Sequence, residues 1–131
     1  MKKKVCLITG VGPGTGTALV KTFCADYEVA MLARNEQRLA ELSAEHAAAH
    51  AFPCDVTDTA ALQATIAEVV EKLGPPNIVV HNAVGGTFGS FMDIDPEALN
   101  QNFQVNTMAL LHLARLVAPA MVAAGEGAIV V

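Results

Sequence analysis

Between Thr9 and Gly16 the chain reads Thr-Gly-Val-Gly-Pro-Gly-Thr-Gly, four glycines set between a short apolar run and a helical pattern. Glycines so placed let a tight turn bring bare backbone against a pyrophosphate, whose charge then meets the N-terminus of the following helix. The spacing departs from Gly-x-Gly-x-x-Gly, because a frame set on Gly10 puts Thr15 where the third glycine belongs. It fits Thr-Gly-x-x-x-Gly-x-Gly through Thr9, Gly10, Gly14 and Gly16, with Gly12, Pro13 and Thr15 filling the turn. A glycine-rich turn without a ligand is the plainer alternative, and the strand before it and helix after it argue against that.

A second chemical group stands a little over twenty residues past Gly10, where a strand ends Ala33-Arg34-Asn35. A site for NAD(H) places a carboxylate there to hold the ribose 2′-hydroxyl. Ala33 supplies none, and Arg34 offers a planar, permanently charged donor suited to a 2′-phosphate. The expected dinucleotide is therefore NADP(H), with NAD(H) second, unless Arg34 is an ordinary surface arginine. Asp55, in Cys54-Asp55-Val56, is placed to cap the turn that follows it. Asn106 is a polar amide among Phe103, Val105, Met108 and Ala109, and if buried it needs a hydrogen-bonding partner.

The elements that must position these groups alternate along the chain. Val5 to Thr9 reads as a strand buried on both faces, followed by a helix from about Thr15 to Ala25. Glu28 to Ala33 is the second strand, and Asn35 can cap a helix running through Leu39 and Leu42 towards the alanines at 47–49. A third strand spans Ala51 to Cys54, and Asp58 caps a helix whose stripe is Leu62, Ile66, Val69, Val70 and Leu73. Gly74-Pro75-Pro76 ends it, and Ile78 to His81 is the fourth strand. A glycine-rich loop leads to Asp95-Pro96-Glu97, a helix start with proline at its first position, and helix runs on to about Ala124. Pro119 is a candidate kink in it, and Gly127 to Val131 begins a fifth strand. Strands alternating with helices imply right-handed crossovers and a Rossmann-like, doubly wound α/β sheet, a single domain over residues 1–131. In such folds ligands sit at the carboxyl ends of the strands, where every candidate above but Asn106, within the long helix, lies.

Composition excludes several classes. A net charge of -5 argues against a nucleic-acid partner, and the one basic run, Lys2-Lys3-Lys4, precedes an apolar stretch too short for a secretory signal. Phe103 to Ala124, the longest apolar candidate for a membrane span, is interrupted by Asn106, His112 and Arg115. Cys6, Cys24 and Cys54 are odd in number and far apart, which suggests free thiols in a reducing, cytoplasmic setting. His46, His50, His81 and His112 show no ligand spacing, so no metal site is expected.

The Thr9-Gly10-x-x-x-Gly14-x-Gly16 pattern resembles the nucleotide signature of the short-chain dehydrogenase/reductase family, and the likeness extends through Pro119-Ala-Met121 and Gly127-Ala-Ile-Val. By that resemblance Asp55 and Val56 face the adenine. His81-Asn82-Ala83-Val84-Gly85 is similar to the family's Asn-Asn-Ala-Gly motif, in which the second asparagine steadies the sheet and the backbone faces the cofactor ribose. Asn82 and Ala83 match it, whereas His81 replaces an asparagine and Val84 a glycine. A valine there resists positive φ and crowds the approach to the nicotinamide ribose. Asn106 is similar to the family's helix asparagine, which reaches the catalytic group through a water and a backbone contact.

The resemblance implies an oxidoreductase acting on a small alcohol or carbonyl, with hydride passing to or from the nicotinamide. It also implies a serine shortly beyond the fifth strand and a Tyr-x-x-x-Lys pair on the next helix, none of which can be placed in this sequence: Tyr27 is the one tyrosine, and Met31 stands four residues on. The chain is accordingly expected to be the nucleotide-binding part of a longer protein and inactive by itself. The alternatives are a non-catalytic NADP(H)-binding module or sensor, or a fold holding S-adenosylmethionine or FAD. The helix over 96–124 is apolar almost all round, and in the family its counterpart packs on a second subunit, so a homo-oligomer is expected.

Overall fold

A computed structural model describes residues 2–131. Five strands, β1 (Lys4–Thr9), β2 (Tyr27–Ala33), β3 (Ala49–Pro53), β4 (Ile78–His81) and β5 (Ala128–Val130), form one parallel sheet in the order β3-β2-β1-β4-β5. The chain winds outward from β1 through β2 to β3, then crosses back to lay β4 on the other side of β1. That reversal is the switch point, and it leaves a crevice between the carboxyl ends of β1 and its neighbours.

Side chains alternate across the strands, so each face takes its own helices. Val5 and Leu7 of β1, with Ala30, Leu32 and Val79, pack under α3 (Thr59–Lys72) and α5 (Ala109–Ala124). Cys6 and Ile8, with Val29, Met31 and Val80, pack under α1 (Thr15–Phe23) and α2 (Glu36–Glu45). Both faces of β1 are therefore buried, which is why it reads as an unbroken apolar run. Asn35 caps α2 by accepting from the Arg38 amide, and Asp58 caps α3 by accepting from Ala61.

Three local expectations need correction. The alanines at 47–49 do not continue α2: His46 turns extended, and Ala49 is drawn into β3 by pairing with Val29. The third strand thus runs Ala49–Pro53 rather than Ala51 to Cys54. Val70 stands 42% exposed, off the stripe of α3, while Leu62, Ile66, Val69 and Leu73 are buried. Pro119 lies inside a continuous α5, and the departure from α geometry falls earlier, in a π turn over Gln104–Met108 that joins α4 (Pro96–Phe103) to α5. By length and mean hydropathy the whole Pro96–Ala124 helix would suffice to cross a membrane. Here Ala109, Leu113, Val117 and Met121 of that helix pack on the sheet. Cys6, Cys24 and Cys54 are free, and burial pushes the Cys6 thiol up to about 12.

Candidate functional site

The glycine turn leaves β1 with Gly10 at φ +70, a left-handed conformation that glycine adopts without a Cβ clash. A Cβ at Gly10 would lie 2.5 Å from the backbone of Ala83, and one at Gly16 would lie 2.5 Å from the Gly10 carbonyl oxygen. These two glycines allow β1, the start of α1 and the loop after β4 to touch. Gly12 and Gly14 have open space where their side chains would be. The turn is tied down from within, since the Thr17 hydroxyl donates to the Gly12 carbonyl at 2.5 Å and the Gly12 amide donates to the Gly10 carbonyl at 3.0 Å.

Helix α1 starts at Gly14 with no side-chain cap, whereas α2, α3 and α4 are capped by Asn35, Asp58 and Asp95. The first amides of α1 are thus left facing the crevice with the positive end of the helix dipole behind them.

The crevice has a volume of about 850 Å³. Its floor is the glycine turn, one wall Arg34, Asn35, Asp55 and Val56, and its other wall Asn82, Ala83 and Val84. All but three of the expected residues border it. Thr9 is fully buried beneath it, Pro13 is exposed on the turn outside the lining, and Asn106 supports it from behind. Arg34 is exposed and makes no ion pair among the described residues. The Asp55 carboxylate accepts from the Thr57 amide at 3.0 Å and the Thr57 hydroxyl at 2.7 Å, the turn-capping role expected of it. Those two bonds, with the more distant Arg34 charge, hold Asp55 below the usual carboxylate range. Asn82 donates to the Gly10 carbonyl at 3.0 Å and so fastens the two loops together.

Val84 sits 80% exposed at the mouth of the crevice, and among the described residues no non-glycine has a positive φ, so the loop runs through it without strain. Asn106 finds its partner in Gly85: its side-chain oxygen accepts from the Gly85 amide at 2.8 Å and its nitrogen donates to the Gly85 carbonyl at 2.9 Å. Gln101, Asn102 and Val105, which also line the crevice, were not singled out for the site by the sequence reading. They come from a helix turn that faces the crevice only once α4 is folded over the β4 loop, and no local pattern marks them. Gly85 was visible as part of a glycine-rich loop, yet its role as the anchor of Asn106 was not. No cluster of three or more metal-ligating side chains occurs among the described residues.

The family model described as short chain dehydrogenase matches residues 4–131. The D-erythrulose reductase of Gallus gallus is 33% identical over 126 residues, which cover 95% of this chain and 50% of that protein. A short-chain dehydrogenase structure from Streptomyces avermitilis superposes with a TM-score of 0.92 at 27% identity, covering 98% of this chain and 48% of the other. A metagenomic short-chain oxidoreductase solved in complex with NADP gives a TM-score of 0.88 at 30% identity, covering 98% and 61% respectively. The chain spans about half the length of the curated relatives it matches.

Proposed function

The chain belongs to the short-chain dehydrogenase family, and from that premise we propose that it holds NADP(H) across the carboxyl edge of its sheet. The observation that carries this reading is the crevice itself, floored by open glycine backbone at an uncapped helix start, with a free arginine and no carboxylate where β2 ends. The pyrophosphate fits over Gly12 and Gly14, where nothing stands within 4 Å of a virtual Cβ. The 2′-phosphate fits the Arg34 guanidinium, the adenine lies by Asp55 and Val56, and the nicotinamide ribose lies along Asn82, Ala83 and Val84. A relative of the same fold, solved with NADP, supports the choice of nucleotide.

The bound dinucleotide would supply hydride transfer, and the whole protein is proposed as an oxidoreductase of small alcohols or carbonyls. Asn106, proposed as an indirect contributor, acts through its grip on Gly85. The 131 residues hold no Tyr-x-x-x-Lys pair, and Tyr27 opens β2 at the end remote from the crevice. Residues 1–131 alone are therefore proposed to bind without turning over. A titration followed by calorimetry tests this: NADP+ should bind, with FAD and S-adenosylmethionine inert. Binding of either of those in place of NADP+ would overturn the reading, and carbonyl reduction by the 131-residue chain would overturn its second half. If the whole protein binds NADP+ without turnover, the non-catalytic module is the better description.

A further inference from the structure

Beneath the crevice, four groups form one directed hydrogen-bond chain. Thr9 closes β1, fully buried, and its register partner on β4 is His81, 4% exposed. Nε2 of His81 lies 3.0 Å from the Val105 carbonyl oxygen, and Nδ1 lies 3.0 Å from the Thr9 hydroxyl. The Ala83 amide donates to the same hydroxyl oxygen at 3.2 Å. A carbonyl only accepts, so Nε2 carries the proton; a neutral imidazole has one N–H, so Nδ1 accepts from Thr9. The hydroxyl, its proton committed to Nδ1, accepts in turn from Ala83. Each bond then has a single direction.

Both ends of this chain reach the crevice. Ala83 is the backbone against which Gly10 packs, and two residues on is Gly85, clamped by Asn106. Val105 precedes Asn106 in the π turn. Asparagine stands at position 81 in the family pattern, so nothing in the motif demands an imidazole here.

We propose that His81 is a positioning residue: its neutral Nε2–H form ties β1 to the π turn and holds the Ala83–Gly85 loop against the glycine turn, and a proton added at Nδ1 loosens that loop and weakens nucleotide binding. The proposal rests on the NADP(H) reading for its last clause alone. A protonated Nδ1 becomes a donor to the Thr9 oxygen, which already accepts from Ala83. The hydroxyl proton then has no acceptor, since no other Thr9 side-chain partner exists among the described residues. Burial holds the imidazole below the usual histidine range, the Val105 carbonyl drawing it partly back. Of the ionisable groups on the elements packed around it, Lys4 on β1, Glu97 on α4, and His112 and Arg115 on α5 make no hydrogen bond or ion pair to the imidazole, and β5 carries none.

The test has two arms. In the nucleotide-free protein, two-dimensional NMR of the imidazole nitrogens reads the tautomer, and a pH titration follows the Ala83 and Gly85 amides. The expected result is Nε2–H at neutral pH, with both amides shifting at the His81 midpoint. An Nδ1–H tautomer, or amides that ignore that midpoint, would overturn the proposal whether or not any nucleotide binds. In the second arm NADP+ affinity is measured from about pH 8 to about pH 5 for the parent and for His81→Asn. The 2′-phosphate titrates near pH 6 in both, so the difference between the two slopes is the readout. The parent should lose about tenfold more affinity than His81→Asn, one pKa unit of coupling being a factor of ten. Parallel slopes would overturn the pH clause. Failure of NADP+ to bind at any pH would refute the nucleotide reading and leave the first arm to decide the role of His81.

Discussion

At Arg34, in the reading proposed above, a single side chain sets which dinucleotide the crevice prefers. The guanidinium is exposed, free of carboxylate partners among the described residues, and placed at the end of β2 where a 2′-phosphate would arrive. A charged hydrogen bond contributes about 1.5–3 kcal/mol, so Arg34→Asp should weaken NADP+ by more than about tenfold and leave NAD+ nearly unchanged. Paired calorimetric titrations check this, and equal loss of both nucleotides would mean that Arg34 merely shapes the loop. Arg34 and the glycines were readable from sequence because each directly follows a strand, and strand ends converge in this fold. Asn106 was readable as an amide in need of a partner and, by resemblance, as the family's helix asparagine. Its partner, Gly85, lies 21 residues away and becomes its neighbour only through tertiary folding.

Between β1, β4 and the π turn, the elements are held by buried polar bonds as well as by packing, and that makes their union sensitive to acid. Because burial lowers the folded pKa of His81, the unfolded chain takes up this proton first. The stabilisation is complete above the ordinary histidine value of about 6.5 and is lost as pH falls through the folded pKa. Asp55, also lowered, follows the same sign in a separate window below about 3.9. Urea midpoints measured at about pH 7.5 and about pH 5.5 should therefore decline with acid for the parent and decline less for His81→Asn, at unchanged m-value. Most elements were legible because the two buried faces and the caps at Asn35 and Asp58 leave plain patterns. The alanines at 47–49 misled, since helix propensity is a weak preference and pairing with Val29 overrides it. The π turn left no mark in the sequence at all.

For the molecule as a whole, the long helix both covers the sheet and presents an apolar outer face. Phe103, Leu111 and Val122 are 53%, 50% and 80% exposed. Apolar area of this kind on a helix is suited to a second copy, as the family resemblance implies. Sedimentation should show a dimer or higher oligomer, and Leu111→Glu combined with Val122→Glu should shift it to monomer with the sheet intact by circular dichroism. A parent that is monomeric at tens of micromolar would remove this expectation. The strand order carries a consequence in time. β1 is synthesised before β4, yet its bonds to β4, such as Thr9 to His81, join residues 72 apart. At roughly 5–20 residues per second, a ribosome needs about 4–14 s to deliver that partner. For those seconds one edge of the central strand, with its buried Leu7 and Ile8, stands open to whatever else is near, and the newborn chain is a natural client for a chaperone that shields such edges.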